Sequence, residues 1–176
     1  AIASKYAIRL KGRHIFNPAT LGLLVSLWLF GLGEVWWAAA SIVWVAGFAV
    51  PLTLLLIVAN YQAGKLRASI PFLAATAILY AATQFISVPF TATATGLLTF
   101  FSSLPFYFAF IMLSEPKTSP NAPREQLIFG ISVAVLVFAL EYVHVKYPFF
   151  IALLAGNLAY SAYRTYFAAA AKGKKQ

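Results

Sequence analysis

The sequence predicts an all-α integral membrane protein of about six transmembrane helices, some kinked or broken at proline. Three observations predict it. The chain of 176 residues is 62% hydrophobic and only 10% charged, whereas a soluble domain carries roughly 25% charged residues. Its apolar residues fall into successive runs without the period-two alternation of strands. Its basic residues gather in alternate connections between those runs. A chain of this length cannot bury so much apolar surface inside itself, so that surface must meet something oily, and a lipid bilayer supplies it.

Residues 1–14 mix Lys5, Arg9, Lys11, Arg13 and His14 with Ile2, Tyr6, Ile8 and Leu10, the composition of a basic interfacial segment. Residues 15–167 form the transmembrane domain. Its first run, Ile15 to Leu32, is interrupted early by Asn17-Pro18 and closed by Gly31, Gly33 and Glu34. The second, Val35 to Ala59, carries Trp36, Trp37 and Trp44 towards its start, where indoles favour the headgroup region, and is kinked at Pro51. A polar loop follows, with Asn60, Gln62, Gly64, Lys65 and Arg67. The third run is Ala68 to Ile86. The fourth, Phe90 to Leu113, opens on Thr91, Thr93 and Thr95 and bends at Pro105. The most polar loop then leads to the fifth run, Gln126 to Leu140. Glu141, His144, Lys146 and Pro148 connect it to the sixth, Phe149 to Phe167, with Asn157 inside it and expected to bond a neighbouring helix. Residues 168–176 are a basic tail or linker. The chain opens on Ala1 without a signal-peptide core, which reads as a fragment or a processed form.

Threading six helices from an inner N-terminus puts twelve of the thirteen Lys and Arg residues on one side: Lys5, Arg9, Lys11, Arg13, Lys65, Arg67, Lys117, Arg124, Arg164, Lys172, Lys174 and Lys175. The other side keeps Lys146, with Glu34 and Glu141. By the positive-inside rule both termini lie in the cytoplasm and the chain is a multi-pass protein of the cell's inner or plasma membrane. The net charge of +9 is then explained by topology and anionic lipid, with no nucleic-acid partner. The absence of cysteine excludes disulfides, thiolate metal sites and cysteine nucleophiles, and no metal is expected. His14 and His144 fall on opposite faces and cannot share a haem. Glu34, Glu115 and Glu141 fall in turns, which gives a relay of buried acids no support.

Two stretches carry candidate chemistry. In Arg13-His14-Ile15-Phe16-Asn17-Pro18, a late helix start leaves free N–H groups beside positive charge, suited to a phosphate or a reduced flavin ring. A basic juxtamembrane anchor with a helix-starting proline fits the same residues. In Ser114-Glu115-Pro116-Lys117-Thr118-Ser119-Pro120, two prolines fix a polar backbone at the same membrane face, a common binding-site device. An ordinary proline-stiffened loop also fits.

Together these stretches resemble the NqrB/RnfD family, membrane subunits of the sodium-pumping NADH:quinone oxidoreductase and of the Rnf electron-transport complex. Arg13 through Ala19 resembles the family's Phe-Asn-Pro-Ala signature. Ser114 through Pro120 resembles its Thr-(Asp/Glu)-Pro-x-Thr-Ser-Pro signature, with Ser114 in place of threonine. Gln126 through Gly130 and Gly156-Asn157-Leu158 resemble the last two helices, with Lys146-Tyr147-Pro148 at a Gly-Tyr-Pro-type turn. The likeness runs in order over most of residues 10–167, in a chain shorter than most of the family. It implies a membrane electron-transfer module that binds flavin or quinone and takes electrons from a reduced nicotinamide or flavin partner. That partner is a soluble FAD/NAD-binding reductase domain or other redox subunits. The family's Ser/Thr-Gly-Ala-Thr attachment motif is absent here, the nearest stretch being Thr93-Ala94-Thr95-Gly96, so FMN would be bound without a covalent link. The resemblance and the charge pattern nominate Arg13, His14, Asn17, Pro18, Glu115, Lys117 and Thr118 as the cofactor-binding set, with no catalytic residue assigned. A small-solute channel or transporter of related fold, and a non-catalytic membrane anchor subunit, are the other two readings.

Overall fold

Three of the described helices begin at a proline, and the first of them has a capping side chain as well. The computed structural model describes residues 6, 8–10, 13–31, 42–87 and 105–167. The interfacial residues 1–5, the tryptophans at 36 and 37, the threonine-rich stretch at 91–95 and the tail 168–176 lie outside the described residues.

Before the first helix, Arg9–Leu10 (β1) pairs antiparallel with Arg13–His14 (β2), Arg9 opposite His14 and Leu10 opposite Arg13. Two residues separate the strands, the shortest common hairpin connection. Helix α1 spans Pro18–Phe30. Asn17 caps it, its Oδ1 accepting from the Ala19 and Thr20 amides at 2.9 and 3.1 Å. Pro18 takes the first position, where its missing N–H costs nothing. Gly31, at φ 65°, ends the helix in the left-handed conformation that glycine adopts without strain.

Helix α2 is Ile42–Gln62, with Pro51 inside it, and α3 is Leu66–Ser87. The polar loop expected at 60–67 shrinks to Ala63–Lys65. Asn60 stays helical because its Nδ2 finds the Leu56 carbonyl one turn back at 3.0 Å. After Pro105 comes a π-helical segment, Phe108–Met112. Helix α4 is Pro123–Tyr142 and α5 is Pro148–Ala162, each with proline in its first turn, and α5 runs on into a π-helical turn, Tyr163–Phe167. Glu141, expected in a turn, belongs to the last turn of α4, where it meets Tyr80 of α3.

Pairwise contacts fix the directions. Gln126 Nε2 donates to the Gly64 carbonyl, a side chain at Gly130 would strike the Ala68 carbonyl, and Tyr80 bonds Glu141. Partners rise together along the two chains, so α3 and α4 run parallel, with Gly130 permitting the close approach. Helix α5 runs against α4: Tyr160 OH bonds Glu125, and Gly156 lies against Val133 and Phe129. It also runs against α1, since Tyr147 at its start donates to the Leu27 carbonyl near the end of α1. The bundle therefore has two ends. One holds Asn17, Asn60, Lys65, Met112, the loop 114–121, Glu125 and Arg164. The other holds Leu27, Tyr80, Glu141, His144 and Tyr147.

Between the ends lies an aromatic core. The Phe108 ring sits 5.3 Å from Phe72 and 5.3 Å, edge-on, from Phe149. Large apolar side chains also face outward: Trp28 is 74% exposed, Ile78 67% and Ile128 64%. The bundle is thus apolar in its core and carries large apolar side chains on its outside as well, more than a water-soluble surface ordinarily shows. Two segments, Leu66–Thr83 and Pro123–Tyr142, are long and apolar enough to cross a membrane, with mean hydropathies of 1.4 and 1.6. At about 1.5 Å per residue the longer one reaches roughly 30 Å, the thickness of a bilayer's hydrocarbon core.

Candidate functional site: the basic end of the bundle

A π-helical segment spaces its backbone bonds five residues apart and leaves carbonyls unmatched. In Phe108–Met112 the Leu113 amide reaches back to the Phe108 carbonyl at 2.8 Å. Side chains from elsewhere occupy the carbonyls so exposed. Asn17 Nδ2 donates to Met112 O at 3.0 Å. Asn60 Nδ2 donates to Phe110 O at 2.6 Å, which Ser114 Oγ also reaches at 2.6 Å. Ser69 Oγ lies 2.7 Å from Ala109 O and 3.1 Å from Asn60 Oδ1, its single proton shared between them. Asn17, Asn60 and Ser69 are buried, so each bond is made away from water and each side chain would be costly if left unpaired. Three elements are thereby stapled to the π segment.

The loop that follows is a second knot. Thr118 Oγ1 donates to Glu115 Oε2 at 2.9 Å and Ser119 Oγ to Glu115 O at 2.7 Å. The Ser119 amide also reaches the Glu115 carbonyl, at 3.0 Å. Lys65, only 2% exposed, closes the knot from the side. Its Nζ lies 2.7 Å from Pro120 O, 2.7 Å from Asn121 Oδ1 and 3.3 Å from Ser119 O. Three oxygens match the three protons of an ammonium. Burial, and then the Arg164 charge, push the Lys65 amine below its usual pKa. Gln126 completes the junction, donating to the Gly64 and Asn121 carbonyls.

The nominated residues separate into two groups. Asn17, Pro18 and Thr118 are buried and engaged within the fold. Asn17 itself fills the first N–H groups of α1, which the late helix start had left open to an anion. Glu115 is half-buried and holds Thr118, while Lys117 is exposed. His14 is half-buried, and its Nδ1 is shielded without a hydrogen-bond partner. Arg13 contributes its backbone to β2; its side chain lies outside the described residues. The structure does bring the two proline-bearing stretches together, through Asn17 and the segment that ends two residues before Ser114. His14 and His144 fall at opposite ends.

Lys65, Asn60 and Ser69 were missed as site-building residues. A loop lysine among Gln62, Gly64 and Arg67 carries no sign of burial; only the carbonyl-rich proline loop, read as needing a donor, hints at it. Asn157 departs from expectation: 1% exposed, it has no partner for either amide atom, and Thr20 and Thr76 carry unpartnered hydroxyls as well. Among the described residues no three His, Cys, Asp or Glu gather into a metal-ligand group.

Comparison of the chain with family models, with curated proteins and with solved structures returns no match.

Proposed function

We propose that the chain is a multi-pass membrane module of a redox complex, of the NqrB/RnfD kind its motifs resemble. On this reading it binds flavin, non-covalent FMN, or a quinone at the basic end. Electrons arrive from a reduced nicotinamide or flavin partner, a soluble reductase domain or another redox subunit. The observation that carries the reading is the 3.0 Å bond from Asn17 to the Met112 carbonyl. It joins the two motif-bearing stretches at the end where Lys65, Arg67, Lys117, Arg124 and Arg164 collect. That clustering of charge on one end also supports a six-helix arrangement with both termini in the cytoplasm.

The residues fit a cofactor in a divided way. Asn17, Pro18 and Thr118 shape the rim and do not reach out from it. Lys117, with the half-buried His14 and Glu115, is left to meet the ligand. A lysine ammonium stabilises a phosphate or an anionic reduced ring by charge-assisted hydrogen bonds, and the shielded His14 Nδ1 has a hydrogen bond to offer. The flavin, when bound, would supply the electron-accepting ring; the protein would orient it and hold its negative charge.

The test is the visible absorbance of the chain purified in detergent. A flavin spectrum near one chromophore per chain, released by acid denaturation and diminished by Lys117→Ala, is the expected result. Absence of both flavin absorbance and extractable quinone from the pure protein would count against the reading.

A further inference from the structure

Helices α4 and α5 do not meet along their whole length. Gly156 lets them touch: a Cβ there would come within 2.9 Å of Val133 Cγ2 and 3.2 Å of the Phe129 ring. Along that contact, reaching from Glu125 to Leu136 on α4, runs a groove of about 540 Å³, within the roughly 300–1,000 Å³ range of ligand pockets. Its walls are Ile128, Ser132, Leu136, Ala155 and Ala159. Ile128, Ser132, Ala155 and Ala159 are exposed, so the groove opens on the bundle's outer surface rather than into its core.

The two ends of this groove differ. Towards Leu136 it is apolar apart from the Ser132 hydroxyl. Towards the basic end it reaches Glu125 and Tyr160, whose hydroxyl bonds Glu125 Oε2 at 3.2 Å. Arg164, one turn beyond Tyr160, is exposed and acts electrostatically on both Tyr160 and Lys65. Arg124, next to Glu125, is exposed too. Two exposed arginines thus neighbour the residues at this end of the groove, Arg124 beside Glu125 and Arg164 one turn past Tyr160, against one carboxylate already engaged by a tyrosine. An apolar trough that ends in net positive charge matches one kind of molecule, a long hydrocarbon chain with an anionic head.

We propose that the α4–α5 groove is a binding site for an anionic phospholipid. One acyl chain lies along Ile128, Ser132, Ala155 and Ala159, and the phosphate sits at Arg124 and Arg164. Arginine presents paired donors that match phosphate geometry, and the small side chains of α5 leave room for the chain. The inference rests on the membrane part of the proposed function and not on its flavin or quinone part. Retention of the protein in membranes after alkaline carbonate washing reports insertion separately.

The test uses the chain purified in detergent, with phosphatidylglycerol or phosphatidylcholine added and bound lipid counted by native mass spectrometry. Phosphatidylglycerol should be retained roughly 25-fold over phosphatidylcholine, about fivefold for each of the two arginines. Arg164→Gln should cut that preference to about fivefold and leave total lipid retention standing. Ala159→Phe and Ser132→Leu, both at exposed wall positions that fill the groove without entering the core, should each reduce retention of both lipids. Glycerol phosphate, a head without tails, should not compete. Equal retention of the two lipids, retention unaffected by both groove-filling variants, or full competition by glycerol phosphate would each overturn the proposal.

Discussion

The two ends of the bundle are built on different terms. At the basic end, Asn17, Asn60, Lys65, Ser69 and Gln126 reach across to backbone carbonyls of other elements, and most of these bonds are out of water. At the opposite end two tyrosines make the described side-chain links between elements: Tyr147 to the Leu27 carbonyl, and Tyr80 to both oxygens of Glu141 at 2.9 and 2.8 Å. The difference has a cause in the chain. A π-helical segment and a loop with two prolines leave carbonyls that no backbone amide takes, so side chains must take them. Among the described residues at the other end, the connection from Val143 to Tyr147 is short and its amides at Val143, His144 and Val145 return to α4 carbonyls, so fewer side-chain partners are called for. The dense side-chain network at the basic end is therefore a consequence of irregular backbone, and it ties down the loop that carries the exposed Lys117 and half-buried Glu115.

Breaking the lysine knot should cost most. Lys65→Met leaves three oxygens without their donor, and hydrogen bonds to charged groups are worth about 1.5–3 kcal/mol each in buried settings, so a loss of about 3 kcal/mol or more is expected. Unfolding of the purified protein in a detergent–denaturant titration measures it. A loss below about 1 kcal/mol would make the two ends equivalent and dissolve the contrast. Next comes Asn60→Leu, which strips the Phe110 carbonyl of one donor while keeping bulk, with an expected loss of about 2 kcal/mol by the same titration. At the other end Tyr80→Phe should cost about 1 kcal/mol, since Glu141 is only half-buried and keeps access to other donors. Should Tyr80→Phe prove costlier than Asn60→Leu, the anchoring would lie at the wrong end.

The smallest effect is a pH slope. The folded Lys65 amine titrates below the usual 10.5, the unfolded one at it. Between those two values the unfolded chain holds the extra proton, so stability should rise with pH across that window and be flat below it. Lys65→Met should lack the rise. A fall in stability over the same window in the parent, absent from the variant, would mean that the lysine gains more from its three oxygens than it loses by burial.

Much of this architecture was legible before any coordinates. Pro18 starts a helix because a first-turn position asks for no N–H, and that rule reads directly from sequence; Pro123 and Pro148, which the sequence places in connections, start helices by the same rule. The segregation of basic residues into alternate connections anticipated which helix ends share an end of the bundle, because topology and charge obey one constraint. Other features were not legible. The β1–β2 hairpin occupies residues whose mixed composition reads equally well as an interfacial helix. The π segment leaves no mark in Phe108-Ala109-Phe110-Ile111-Met112, since its register depends on the partners Asn17, Asn60 and Ser69 supply. Lys65 was hidden by its polarity: a lysine beside a glycine reads as solvated, and only the three carbonyl-side oxygens of a distant loop reverse that. The sequence reads Asn157 as a helix-bonding residue, yet both its polar atoms stand unpartnered, as do the buried Thr20 and Thr76 hydroxyls.

The central claim is that the Lys65–Lys117 end and the His144–Tyr147 end face opposite sides of one membrane. Because the chain contains no cysteine, single cysteines can be placed on this background without interference. Gln62→Cys and Lys117→Cys should react with a membrane-impermeant maleimide only from the cytoplasmic side of sealed vesicles, and His144→Cys only from the other. Labelling of positions 117 and 144 from the same side would contradict the account.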